Sequence, residues 1–147
     1  MSEEPSIREN QIAKAVVHAA LTVHKALGPG LLESVYEICL AHELAKMGHR
    51  VARQVGLPVQ YDSIRVEAGL RLDLLVDDMV IVEVKAVETV HPVFKAQLYT
   101  YLKLTRRRLG LLINFNVELL KDGVERVVCS SQRGQEAKEQ SNFNGQD

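Results

Sequence analysis

Apolar residues recur at three- and four-residue intervals from Ile12 through Val16, Ala19, Ala20 and Val23 to Leu27, the spacing of one helix face. Ser6, with Glu9 three residues on, has the capping-box form and sets the start of this helix. Gly28-Pro29-Gly30 ends it. A second helix is predicted from Leu31 to Met47, with Gly48 as its C-terminal cap. The interval then drops to two. Val51, Val55, Leu57, Val59 and Tyr61 alternate across Arg50 to Tyr61, where Pro58 marks an edge or a bulge. Asp62-Ser63 is a turn. Ile64 to Val76 forms a strand interrupted near Gly69, and Met79 to Val87 forms the next. After a loop over Glu88 to His91, Pro92 opens a third helix carrying Phe94, Leu98, Tyr101, Leu102 and Thr105. Leu109 to Phe115 is a buried strand. Val117 to Leu120 and Val124 to Val128 flank Lys121-Asp122-Gly123 and predict a hairpin. The order is ααβββαβββ. It predicts an α/β (α+β) fold, a central mixed sheet flanked by helices, in one domain over residues 6–128. Residues 129–147 are mostly polar, with one Phe, and predict a disordered tail.

The two most apolar strands carry charges that a buried strand does not want. Asp73 lies in Leu70 to Val76, and Glu83 and Lys85 lie in Met79 to Val87. Alternate strand residues share a face, so Glu83 and Lys85 point one way while Val82, Val84 and Ala86 point the other. A hairpin through Asp77-Asp78 brings Asp73 beside Glu83. Unpaired buried charge is costly, and two carboxylates with one ammonium have two resolutions. One is an internal ion pair of Lys85 with Asp73 or Glu83. The other is a divalent cation, Mg²⁺ or Mn²⁺, held by Asp73, Glu83 and the Val84 backbone carbonyl. In the second case a cation-bound water could attack a phosphodiester, with Lys85 orienting it or stabilising the developing charge.

Glu33 falls in the first turn of the second helix. It could join the metal site, or simply complement the helix dipole. Tyr36, on nearly the same face, could hydrogen-bond Glu33 or pack, and Glu37 is expected to be solvated. Gln97 and Tyr101 sit one helical turn apart and could position a substrate phosphate. Lys95, Lys103, Arg106, Arg107 and Arg108 make the third helix and its end basic, either as dipole complement or as a patch for a nucleic-acid backbone.

Composition narrows the classes. With 18 Lys and Arg against 19 Asp and Glu, the net charge is -1 and no whole-chain field drives nucleic-acid or membrane binding. Any basic surface is local. Hydrophobic content of 46% and charged content of 25% fit an ordinary globular protein. Cys39 and Cys129 lie in no metal-type spacing, and the N-terminus shows no secretory signal, so reduced thiols and a cytoplasmic location are expected. No apolar run approaches the ~20 residues of a membrane span.

Three motifs combine into a more specific pattern. Asp73, nine residues, then Glu83-Val84-Lys85 resembles the core of the PD-(D/E)xK nuclease superfamily. Gly30-Leu31-Leu32-Glu33-Ser34-Val35-Tyr36 resembles the GxxExxY signature of one small-protein family within it. Gln97-Leu98-Tyr99-Thr100-Tyr101 resembles the QxxxY motif that follows the catalytic core in RecB-type and related exonucleases. All three stand in that family's order. The resemblance implies a restriction-endonuclease-like core, catalytic residues Glu33, Asp73, Glu83 and Lys85, support from Gln97 and Tyr101, and metal-dependent cleavage of nucleic acid. One departure is Leu72, which stands where the superfamily often has Pro before the aspartate.

The expected function is therefore a Mg²⁺-dependent nuclease, with DNA preferred over RNA as substrate and a homodimer as the working assembly. The alternative is a catalytically silent nucleic-acid-binding or assembly module that keeps the fold. A third is a phosphodiesterase for a small nucleotide. The first cleaves polymer with metal, the second shifts polymer without cutting it, and the third ignores polymer.

Overall fold

The computed structural model describes residues 4–129. Helix α1 (Ile7–Leu27) starts at Ser6, whose hydroxyl accepts from the Glu9 N–H while the Glu9 carboxylate accepts from the Ser6 N–H. The capping box is thus complete, and Ile12, Val16, Ala19, Ala20 and Val23 are buried as their spacing requires. Helix α2 (Glu33–Lys46) begins two residues later than expected, with Leu32 as a cap that offers no side-chain acceptor. Glu33 is thereby its first residue.

The expected strand over Arg50 to Tyr61 is two strands. Strand β1 (Val51–Gly56) ends before Pro58, which has no N–H for a ladder, and β2 (Val59–Tyr61) turns through Asp62-Ser63 into β3 (Ile64–Val66) as a separate hairpin. The next strand breaks near Gly69, whose φ is +76°, and resumes as β4 (Arg71–Val76). Asp77 and Asp78 both take positive φ, 51° and 59°, the geometry of a tight hairpin turn into β5 (Val80–Lys85). Helix α3 (Pro92–Thr105) follows, then β6 (Leu109–Asn114) and β7 (Val124–Val128).

The main sheet has the order β1-β4-β5-β6-β7. Neighbours are antiparallel except β5 and β6, which are parallel and joined by α3 as the crossover. Helices α1 and α2 cover one face, burying Val82 and Val84 with Tyr36, Leu40 and Phe115. Helix α3 covers the other, burying Ile81 and Leu112 with Leu98 and Leu102. Gly110 admits this helix: a Cβ there would lie 2.9 Å from Leu98 Cδ1. This is a restriction-endonuclease-like core, a mixed five-stranded sheet between helices.

The hairpin expected at Lys121-Asp122-Gly123 does not form. Val117 to Leu120 is not a strand, and Leu120–Gly123 is a short 3-10 helix leading into β7, which pairs with β6. Gly123 lies against the Asn114 carbonyl, in a space that any Cβ would fill. The tail expected over 129–147 falls outside the described residues except for Cys129, which is buried.

Candidate active site

Strands β4 and β5 pair from Val76↔Val80 to Leu74↔Val82 and no further, although both strands continue. The next cross-strand position holds Asp73 and Glu83. Here the carboxylates take over the ladder. Asp73 Oδ2 accepts from the Val84 N–H at 2.8 Å, and Glu83 Oε1 accepts from the Asp73 N–H at 3.2 Å. The sheet thus opens at one end, and two acidic groups stand in the opening because the backbone there needs acceptors.

Their electrostatics follow from enclosure. Glu83 is 5% exposed. Burial, the charge of Asp73 and a hydrogen bond to the Asp73 side chain push its carboxyl up to about 9, against the pull of the Asp73 N–H and of Lys85. At neutral pH without a cation Glu83 keeps its proton. A divalent cation offers the same relief with more charge. Among the described residues no group of three or more His, Cys, Asp or Glu side chains is placed to hold a metal ion. Two adjacent carboxylates are a donor set that suits a hard cation keeping most of its waters, as Mg²⁺ and Mn²⁺ do.

Lys85 follows on the same face of β5, half-buried, with Nζ 4.6 Å from the centre of the Phe94 ring. Its backbone is fixed from β6, since the Lys85 carbonyl accepts from Phe115 N at 2.9 Å. The polar residue opposite it, Asn114, is buried and clamps the chain beyond the site, accepting from Val87 N at 3.1 Å and donating to Val87 O at 2.9 Å.

Glu33 reaches the same opening from the first turn of α2. Partial enclosure raises its carboxyl above the ordinary range, with Asp73 and Glu37 pushing the same way; Lys85 and the Ala86 N–H pull it down. Glu33 remains open to solvent. From α3 comes Tyr101, its hydroxyl raised by burial and by the charges of Glu83 and Asp73, and hydrogen-bonded to the Gln97 side chain. Six sequence-selected residues, Glu33, Asp73, Glu83, Lys85, Gln97 and Tyr101, therefore share one end of the sheet.

Tyr36 does not join them. It is fully buried and stacked on Phe115 at 4.6 Å between ring centres. Its hydroxyl donates to the Gly28 carbonyl at 2.6 Å and accepts from the Leu31 N–H at 3.1 Å. It pins the Gly28-Pro29-Gly30 loop and so fixes where α2 begins. Its contribution to Glu33 is through the backbone.

The basic residues are also placed elsewhere. Because α3 is the crossover between parallel strands, it starts at the open end of β5 and runs back to the other end. Arg107 donates to Asp78 Oδ1 at 2.7 Å and to the Asp78 carbonyl at 3.1 Å. Arg108 donates to the Glu4 carbonyl at 3.1 Å. Asp78, in the turn before β5, lies at the opposite end of that strand from Lys85, and Val80 to Lys85 alone spans roughly 17 Å at ~3.3 Å per residue. Arg106 caps α3 in the left-handed conformation, Lys95 pairs with Glu125 at 3.0 Å, and Lys103 acts on Cys129. Lys103, Arg106, Arg107 and Arg108 thus lie toward the far end of α3, whereas Lys95, in its first turn, lies toward the open end and is paired with Glu125.

Two residues at the opening escape a reading of the sequence. Glu37, expected in solvent, is 5% exposed and holds Arg53 at 3.0 Å and Gln54 at 2.7 Å. Gln54 also points its amide at Asp73 Oδ1, 3.5 Å away. The only hint in the sequence is that Glu37 lies one helical turn beyond Glu33.

A model of the PD-(D/E)XK nuclease superfamily matches residues 10–127. The chain belongs to this superfamily. The match spans α1 to β7 and takes in every residue of the open end. No curated protein and no solved structure matches the chain. The superfamily supports a nuclease-type function, acting on nucleic acid, and its members generally use divalent metals. Among the described residues no helix is long and apolar enough to cross a membrane.

Proposed function

We propose that this protein is a Mg²⁺- or Mn²⁺-dependent nuclease of the GxxExxY group, hydrolysing phosphodiester bonds in DNA. The observation that carries the proposal is the Asp73–Glu83 pair in the gap between β4 and β5, with Lys85 and Glu33 beside it. Asp73, Glu83 and the Val84 carbonyl would hold the cation, with Glu33 on its waters. When bound, the cation supplies an acidified water and neutralises phosphate charge. Lys85, steadied on Phe94, orients the nucleophile and faces the charge that grows on the phosphoryl oxygens. Tyr101, held by Gln97, offers its hydroxyl to a phosphate oxygen. A site open on one side admits a polymer, and a second copy of the chain would extend the grip along a duplex.

The test is cleavage of duplex DNA, single-stranded DNA and RNA, with Mg²⁺, Mn²⁺ or chelator, by wild type and Lys85→Ala. The expected result is metal-dependent cutting of DNA that Lys85→Ala abolishes while its circular dichroism stays native. No cutting of any polymer, or equal cutting by Lys85→Ala, overturns the proposal. A gel shift without cleavage would point to the binding module instead. Size-exclusion chromatography at micromolar concentration tests the dimer, which a monomer elution volume rejects.

A further inference from the structure

Gln54 sits in mid-strand with φ of +53°, a conformation that side chains other than Gly, Asn and Asp rarely adopt. Its neighbours remain in register, Arg53 with Leu74 and Val55 with Leu72, so no residue has been inserted. Only the Gln54 position, opposite Asp73, drops out of the ladder. In a regular strand Arg53 and Gln54 would point to opposite faces and could not both reach one partner from α2. The left-handed residue breaks that alternation. Arg53 then reaches Glu37 Oε2 at 3.0 Å and Gln54 reaches Glu37 Oε1 at 2.7 Å. The rotated backbone is held from β4, where Arg71 donates to the Gln54 carbonyl at 3.2 Å.

The purpose of the rotation lies in the second hydrogen of the amide. Gln54 Nε2, anchored on the buried Glu37, aims at Asp73 Oδ1 at 3.5 Å while the Val84 N–H holds Oδ2 at 2.8 Å. One carboxylate oxygen is thus fixed from β5 and the other from β1. We infer that Gln54 is a positioning residue, set by Glu37, that fixes the plane of the Asp73 carboxylate toward the cation. This inference rests on the metal reading of the site. Partners that orient a metal ligand in this way are typically worth about 10–100-fold in affinity.

Asn at this position tolerates positive φ but is one methylene too short to span Glu37 and Asp73. Gln54→Asn therefore separates backbone conformation from positioning. Two measurements are made on full-length protein. The first is exchange of the Val84 amide in chelator, with Val82 as the internal control. The second is Mn²⁺ affinity by calorimetry, with Asp73→Asn as the reference for loss of the site. In Gln54→Asn, Val84 exchange is expected to speed up about tenfold with Val82 unchanged. Mn²⁺ affinity is expected to fall about tenfold, and the melting temperature in chelator is expected not to fall. Unchanged Val84 exchange, or faster exchange with unchanged Mn²⁺ affinity, overturns the inference. A lower melting temperature with native Val84 protection assigns Gln54 a merely structural role and overturns it too. If wild type itself takes up no Mn²⁺, the metal reading fails, and Val84 exchange alone decides whether Gln54 positions Asp73.

Discussion

Replacing Glu83 by Gln should make the metal-free protein more stable at neutral pH, and increasingly so as pH rises. The unfolded chain releases the Glu83 proton near 4.5, whereas the folded chain keeps it until about 9. Between those values the folded state binds the extra proton. A group raised in this way stabilises fully below its unfolded pKa, and that stability drains away as pH climbs toward the folded value. One proton sets the slope at about 1.4 kcal/mol per pH unit. From pH 5.5 to 7.5 wild type should lose about 2–3 kcal/mol, a large share of the roughly 5–15 kcal/mol that holds a domain together. Gln keeps the volume and the acceptor for the Asp73 N–H and does not ionise. The assay is urea denaturation of both proteins in chelator at pH 5.5, 6.5, 7.5 and 8.5. Subtracting one curve from the other removes titrations they share. A difference growing by about 1 kcal/mol or more per unit is expected, and Mg²⁺ should flatten the wild-type slope by taking the proton's place. Parallel curves in chelator would mean that Glu83 is ionised in the folded protein, and the account of its enclosure would be wrong.

Other outcomes follow from single contacts. Tyr36→Phe removes a buried hydroxyl from the Gly28 carbonyl and the Leu31 N–H, and should cost about 1–3 kcal/mol by denaturation. Activity should fall with it, because the loop it pins sets the start of α2. Gly110→Ala drives a methyl into Leu98 and Ile81 and should destabilise by about 1–3 kcal/mol, read as a lower melting temperature. Asp77 is opposed by burial, yet its hydrogen bonds from His49 and the Arg50 N–H hold its carboxyl below the ordinary range. A lowered carboxylate stabilises above its unfolded pKa of 3.8 and loses that stability as pH falls, so Asp77→Asn should weaken the protein at neutral pH and shrink its loss of stability on acidification. Identical acid melts for the two proteins would remove Asp77 from that account.

The period of two in β4 and β5 made Asp73, Glu83 and Lys85 legible, because strand alternation and one hairpin turn suffice to bring them together. The capping box made the start of α1 legible, because its two hydrogen bonds are local. What stayed hidden depends on where distant segments return. Nothing near Tyr36 says that its hydroxyl meets the Gly28 carbonyl and not Glu33. Glu37 looked solvated because its partners Arg53 and Gln54 arrive from β1, and Gln54 reaches it only through a backbone conformation that its residue type does not announce. Arg106 to Arg108 looked like a substrate patch because charge is visible in sequence and chain direction is not. The crossover carries them to the far end of β5, where Arg107 and Arg108 engage Asp78 and Glu4. Val117 to Leu120 looked like a strand because Asp122-Gly123 signals a hairpin, but Leu120–Gly123 is a 3-10 turn, with Gly123 close against the Asn114 carbonyl.

The open end of the sheet also joins stability to chemistry in a way that governs how it can be probed. Val84 is fully buried, and the partner of its N–H is a side-chain oxygen of Asp73. Asp73→Ala would orphan that donor at about 1–3 kcal/mol, so lost activity in it would mix a damaged strand pair with a lost cation ligand. Asp73→Asn retains an acceptor oxygen for Val84 and removes the charge, while the oxygen that faces Gln54 Nε2 becomes a donor. The same holds across the gap, where Gln at position 83 retains an acceptor for the Asp73 N–H. The pair therefore does two jobs with different atomic requirements. The strands need oxygens, and a cation needs charge. The amide variants divide these demands: a protein that folds with amides at 73 and 83 but no longer takes up Mn²⁺ would show that the charges are there for the cation alone.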